Sequence, residues 1–188
     1  MNWLSTIIRV AGSQFPVASA LVQLQSELDS DALSQRIKRL EDPVSFLQED
    51  VPTVSKLIYE ALKSQNSTSL NFDDDFYTRY SRSLAALHSK GLIASKHRLG
   101  RHLPIGIAVV DPSYVMYLCA LAEDEAKMTH LVDRVDRCKI GEWLDGHQIS
   151  QELQLPLPVV KACFSIYEAK GYGLCSHEIG RVSYCGNA

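Results

Sequence analysis

The chain has 188 residues, of which 46% are apolar and 22% charged, enough for one large domain or two small ones with a buried core. A formal net charge of −3 excludes a uniformly basic coat, so any basic surface is local. No apolar run approaches the ~20 residues that a membrane-spanning helix needs.

Residues 1–50 read as helical. Trp3, Leu4, Ile7, Ile8 and Ala11 form one apolar stripe. The Phe15-Pro16 break opens a second, with Val17, Leu21, Leu24 and Leu28. Ser30 caps a third, carrying Leu33, Ile37 and Leu40, which stops before Asp42-Pro43. "ASA" at 18–20 resembles a signal-peptidase site, but there is no cationic n-region and Arg9 splits the apolar segment, so secretion is not expected. With four basic and seven acidic side chains, these helices have the wrong sign for anionic lipid, and no membrane partner is expected. Packing on the rest of the chain or on a second subunit suits them better.

Pro52 begins a further helix with Val54, Leu57, Ile58 and Leu62 as its buried row, followed by a polar loop, "SQNSTS". From Asp74 to Lys90 apolar residues recur with helical period at Phe76, Tyr80, Leu84 and Leu87, and Gly91 supplies a left-handed stop. The stretch 92–110 alternates around a polar turn centred on Gly100, which predicts a β-hairpin. A long helix is expected from about Pro112 into the 130s, with "EDE" at 123–125 outermost. Finally "ISQELQLPLPVVKACFSIYEAKG" (149–171) reads as helix, Leu-Pro-Leu-Pro corner and helix.

An 80-residue shift lays the second half on the first without a gap. "SKGLIASKHRLGR" (89–101) falls on "AKGYGLCSHEIGR" (169–181), with Lys90/Lys170, Gly91/Gly171, His97/His177, Gly100/Gly180 and Arg101/Arg181 identical. Upstream, Tyr80, Leu84 and Leu87 fall on Val160, Phe164 and Tyr167. Agreement in helix period, helix stop and hairpin turn together argues for a structural repeat.

Helix, Lys-Gly stop, strand, glycine turn and strand resemble the second half of a winged helix-turn-helix. The resemblance is clearest at 148–185. At 53–110 the first helix of the pair would fall on "STSLNFD", which lacks the apolar partners of Ile149 and Leu153. The resemblance implies a mainly α (α+β) fold. A helical N-terminal region (1–50) precedes a first winged helix (51–111), and a linker helix leads to a second (112–188), each with a small hairpin wing. Winged helices serve as DNA readers and as protein-docking modules, so function rests on the surfaces.

Opposite Tyr80, Leu84 and Leu87 the predicted helix carries Thr78, Arg82, Ala85 and Ser89, with Arg79 at the edge. These side chains are small or cationic and allow close approach to a groove. The hairpin adds Lys96, Arg98 and Arg101, with His97 and His102. Six Lys/Arg face one Asp between residues 75 and 102. That patch points to double-stranded DNA as the partner of the first copy, in a regulatory role.

Residues 148–188 instead carry three basic and three acidic side chains. Val159, Ala162, Ser176 and Glu178 stand where Arg79, Arg82, Lys96 and Arg98 stand in the first copy. The exposed face of the second helix is expected at Pro158, Lys161, Ala162, Ser165 and Ala169, a surface for a homodimer or a protein partner. The alternative is a non-enzymatic adaptor with both wings docking proteins, as in tandem winged-helix partners of chromosome-organising ATPases.

Cys175, His177 and Cys185 could gather in the second hairpin, but a fourth zinc ligand is not evident. Five cysteines without a CxxC pair suit reduced thiols in a cytoplasm. The chain has no GxxxxGK[ST], GxGxxG or HExxH, and no histidine stands at a recognisable spacing from a nucleophile. No catalytic residue, metal or cofactor is expected.

Overall fold

A computed structural model describes residues 50–186, apart from Glu123, Asp124, His177 and Ile179. The three N-terminal helices, the 18–20 motif and most of the acidic patch at 123–125 lie outside the described residues. Seven helices and two three-stranded antiparallel sheets make this a mixed α/β structure.

Helix α1 (Val51–Gln65) carries Pro52 in its first turn and ends at Asn66, whose φ of 45° turns the chain left-handed. It buries Val54, Ile58 and Leu62 as its row, together with Tyr59, whereas Leu57 stands partly exposed. After β1 (Ser69–Leu70), the Asp73 carboxylate accepts the Phe76 N–H at 2.9 Å and starts α2 (Asp74–Arg79). The helix missing from "STSLNFD" is therefore present, a few residues later, and part of that stretch is strand.

The single helix expected over 74–90 is two. α3 (Ser81–Ser89) begins after Tyr80, which leaves helical geometry at φ −106° and ψ 18°. The two halves meet different partners. Phe76 stacks on Phe72 at 3.9 Å and meets Tyr77 edge-on, while α3 packs on α1 through its buried Leu84 and Leu87. β2 (Ile93–Lys96) and β3 (Gly106–Val109) then form the predicted hairpin, and β1 joins as a third strand in the order β1-β3-β2.

The linker is also two helices, α4 (Pro112–Leu121) and α5 (Glu125–Asp136). β4 (Trp143–Asp145), α6 (Gly146–Leu153), α7 (Leu157–Ala169), β5 (Gly173–Cys175) and β6 (Ser183–Gly186) follow, with strand order β4-β6-β5. Both units thus run helix, strand, helix, helix, strand, strand with equivalent sheets.

The 80-residue correspondence extends to individual bonds. Leu92 N–H reaches Leu87 O at 3.1 Å, and Tyr172 N–H reaches Tyr167 O at 3.1 Å. Gly91 and Gly171 have φ of 71° and 78°, a left-handed stop that glycine adopts without strain. In the hairpin turns, Arg101 N–H to Arg98 O and Arg181 N–H to Glu178 O both measure 3.1 Å. Tyr80, Leu84 and Leu87 and their counterparts Val160, Phe164 and Tyr167 are all buried.

α4 belongs to neither repeat and joins them. Every residue from Ser113 to Cys119 is buried, so the helix is enclosed all round. It packs on α1 and, more extensively, on α7. Ser55 Oγ meets the Tyr114 hydroxyl at 2.8 Å, and the Tyr59 hydroxyl donates to Cys119 Sγ at 3.6 Å. Asn66 Oδ1 accepts the Leu157 N–H at 3.1 Å, so the end of α1 meets the start of α7. One core runs through both units. Among the described residues no helix is long and apolar enough to cross a membrane.

Candidate nucleic-acid interface

α3 buries Ser83, Leu84 and Leu87 and exposes Arg82, Ala85, His88 and Ser89, so Arg82, Ala85 and Ser89 lie outward as expected. Thr78 and Arg79 are exposed too, but on α2. They flank the α3 face and do not extend it. Thr78 Oγ1 donates to Asp74 O at 2.8 Å, and the Arg79 guanidinium lies 5.3 Å from the centre of the Tyr80 ring. Ser89 Oγ donates to Ala86 O at 2.8 Å.

The hairpin tip presents His97, Arg98, Leu99, Arg101 and His102, all exposed. Gly100, at φ 80°, makes the turn between Arg98 and Arg101. Two of the cations have neighbours within the unit. Lys96 Nζ donates to Ser69 Oγ, and Arg101 forms an ion pair with Asp74. The charge window opening at residue 75 therefore leaves out Asp73 and Asp74. From 73 to 102 six basic side chains face three acidic ones, and the local excess is +3, not +5. Arg82 and Arg98 remain the cations best placed for an outside partner, whereas binding through Arg101 competes with Asp74.

The second unit departs from expectation. Of the five positions assigned to an outward face of α7, Lys161 and Ala169 are exposed and Ser165 is half-buried, but Pro158 is buried and Ala162 is 5% exposed. α7 packs most extensively on α4 and also on α5, α6 and β5, so less of it is left open than of α3. A helical wheel of α7 alone does not reveal those partners. The sequence signal of that enclosure is the width of the apolar arc, since Val159, Val160, Cys163, Phe164, Ile166 and Tyr167 exceed a single stripe.

None of the five cysteines is in a disulfide. Cys175 pairs with Tyr184 in the sheet while Cys185 lies between Trp143 and Leu174, so the two cysteines take opposite faces and do not form the ligand group considered for zinc. His177 is outside the described residues, among which no group of three ligand side chains could hold a metal ion. Burial, reinforced by the Glu168 carboxylate, pushes the Cys175 thiol up to about 12, the opposite of a reactive thiolate.

An open groove between α5 and β4 is lined by His130, Asp133, Arg134, Arg137, Cys138, Glu142 and Leu144. Its Arg134 is paired with Glu152, whose carboxylate also accepts Gln148 Nε2 at 2.7 Å, and both contacts hold that carboxyl below its usual range.

Against this geometry, no protein-family model matches the chain, and neither a curated protein nor a solved structure does.

Proposed function

We propose that the two units are tandem winged helices and that the first binds double-stranded DNA in a regulatory, non-enzymatic role in the cytoplasm. The observation that carries this reading is the exposed face of α3, with Arg82 among the small side chains of Ala85 and Ser89, beside a hairpin tip bearing Lys96, His97, Arg98 and His102. Small side chains allow a helix to enter the major groove, where Arg82 could meet a guanine edge. Lys96, Arg98 and Arg79 would neutralise phosphates. The enclosure of α7 supports assigning this task to one unit alone.

Titrating a random duplex over a range of salt concentrations tests the reading. With about three to four phosphates neutralised, log K falls with log salt at a slope of roughly −3 to −4. Affinity indifferent to salt would sink it.

A second reading, a protein-docking adaptor, is favoured by large apolar side chains on the outer face of the second sheet. It predicts no salt-dependent binding of duplex.

A further inference from the structure

The hairpin of the first unit ends in an apolar side chain that the fold does not use. Arg101 N–H reaches Arg98 O at 3.1 Å, so Leu99 and Gly100 are the two central residues of a tight turn, with Gly100 at φ 80°. Gly100 brings no side chain, and the apex is one leucine wide. Leu99 is 104% exposed, more than any other large apolar residue among those described. Turns favour Gly, Pro, Asn, Asp and Ser at such positions, so the turn does not call for leucine. Neither does the core, on which Leu103 packs instead.

The apex is braced. Ile105 N–H reaches Lys96 O at 2.8 Å at the base of the loop, Lys96 Nζ donates to Ser69 Oγ, and Arg101 is paired with Asp74 on α2. Around it the charge has one sign. No Asp or Glu occurs between Asp75 and Asp111, and Lys96, Arg98 and Arg101 form a collar about Leu99. An apolar point in a cationic collar complements a polyanion whose apolar interior lies just behind its charges. Stacked bases behind two phosphate chains are such a target.

The second hairpin supplies the contrast. Ile179 stands at the matching sequence position, but Ser176 and Glu178 replace Lys96 and Arg98, and Arg181 is paired with Glu178 at 3.0 Å. The cationic collar is absent there. An anionic bilayer shares the layering of a duplex, with charge outside and apolar matter within. One leucine, however, buries far fewer CH₂ groups than the single acyl chain that binds a bilayer only marginally. For one base step, a single side chain suffices.

We propose that Leu99 is a wedge that enters between two base pairs from the minor groove, so that the first unit unstacks and bends the duplex it binds. The minor groove is about 6 Å wide, which suits a turn one side chain broad, while α3 takes the wider groove. Arg98 meets a phosphate on the groove wall. Pyrimidine–purine steps such as TA unstack most readily, so flexible or already unstacked steps are the preferred class of site. The proposal rests on the DNA reading and adds to it a place on the duplex.

The test uses the whole chain and a short duplex with 2-aminopurine beside a central TA step, together with the same duplex carrying one mismatch there. Emission should rise as the wild type saturates the matched duplex. The mismatched duplex should bind about tenfold more tightly, because its unstacking costs less. Leu99→Ala should abolish both effects and leave the salt slope and the urea midpoint unchanged, since Leu99 carries no charge and is outside the core. Leu99→Phe, another apolar wedge, should restore them. Salt-dependent binding without a rise in emission, or with a rise that Leu99→Ala keeps, overturns the wedge and leaves the DNA reading standing. A wild type without salt-dependent binding overturns both. Co-sedimentation with phosphatidylglycerol vesicles that Leu99→Ala abolishes, without any rise in emission on duplex, would assign the tip to a membrane and overturn the wedge as well.

Discussion

Helices α3 and α7 occupy equivalent places in the two units, end in the same Lys-Gly stop and are followed by equivalent strands. One shows arginine and small polar side chains to solvent, and the other is almost wholly enclosed. The difference arises outside the repeat. α4 is buried on every side and needs partners all round, and α7 is its most extensive one, while α3 keeps an open face. A shared backbone plan therefore does not imply a shared surface. Which copy can meet a ligand depends on where the linker helix lies.

The sharpest way to break this comparison is to place the same charge at matched positions. Ala162 corresponds to Arg82. Ala162→Glu leaves a carboxylate in the core and should cost about 3–5 kcal/mol, much of the stability of a domain this size. Arg82→Glu lies on the open face and should change stability by no more than about 0.5 kcal/mol. Urea unfolding of both variants measures the contrast, and equal costs would mean that α7 is not enclosed.

Gly173 offers a smaller effect, confined to the second unit. Its counterpart is Ile93, yet a Cβ at Gly173 would stand 2.3 Å from both the Tyr184 ring and Cys185 O. Tyr184, stacked on Phe164 at 5.4 Å, fills the volume that a side chain takes in the first sheet. Gly173→Ala should cost about 1–3 kcal/mol through overpacking. By contrast Gly91→Ala and Gly171→Ala meet open space and pay only for their positive φ, so each should cost about 1 kcal/mol. Unequal urea midpoints for that pair would separate the two helix stops.

The smallest expected effect is a pH dependence. Burial holds the Cys175 thiol at about 12 against its ordinary 9.0. Above pH 9 the unfolded chain gives up this proton while the folded chain keeps it, so unfolding gains and stability falls as pH rises from 9 toward 12. The thiol is only half-buried, and solvent screening reduces the loss at pH 10 to below about 1 kcal/mol. Cys175→Ala should flatten the decline in a series of urea melts. An unchanged slope would show that other buried groups, such as Cys163 and Tyr184, dominate it.

Much of this architecture was legible in the sequence because it is written in local terms. Gly91, Gly171, Gly100 and Gly180 mark stops and turns that need positive φ, and their 80-residue spacing is matched by paired hydrogen bonds. What local reading missed depends on distant contacts. The bend at Tyr80 reflects the partners of Phe76 and of Leu84, which a continuous apolar period conceals. β1 is too short to show alternation and exists through its pairing with β3. Among the site residues, Arg82 and Arg98 lie outward where a wheel and a hairpin put them. Arg101 is held by Asp74, 27 residues away, and Pro158 and Ala162 are buried in a helix that packs on elements distant in sequence.

The proposed division of labour between the copies is tested most directly by reversing the same number of charges in each. Arg82→Glu with Arg98→Glu alters the first unit, and Lys161→Glu with Arg181→Glu alters exposed positions of the second. Duplex affinity is then measured against salt for both. The first pair should lose at least about thirtyfold and flatten the salt slope by about two, whereas the second should stay within about threefold of wild type with its slope intact. Equal losses from the two pairs, or a loss confined to the second, would contradict the account.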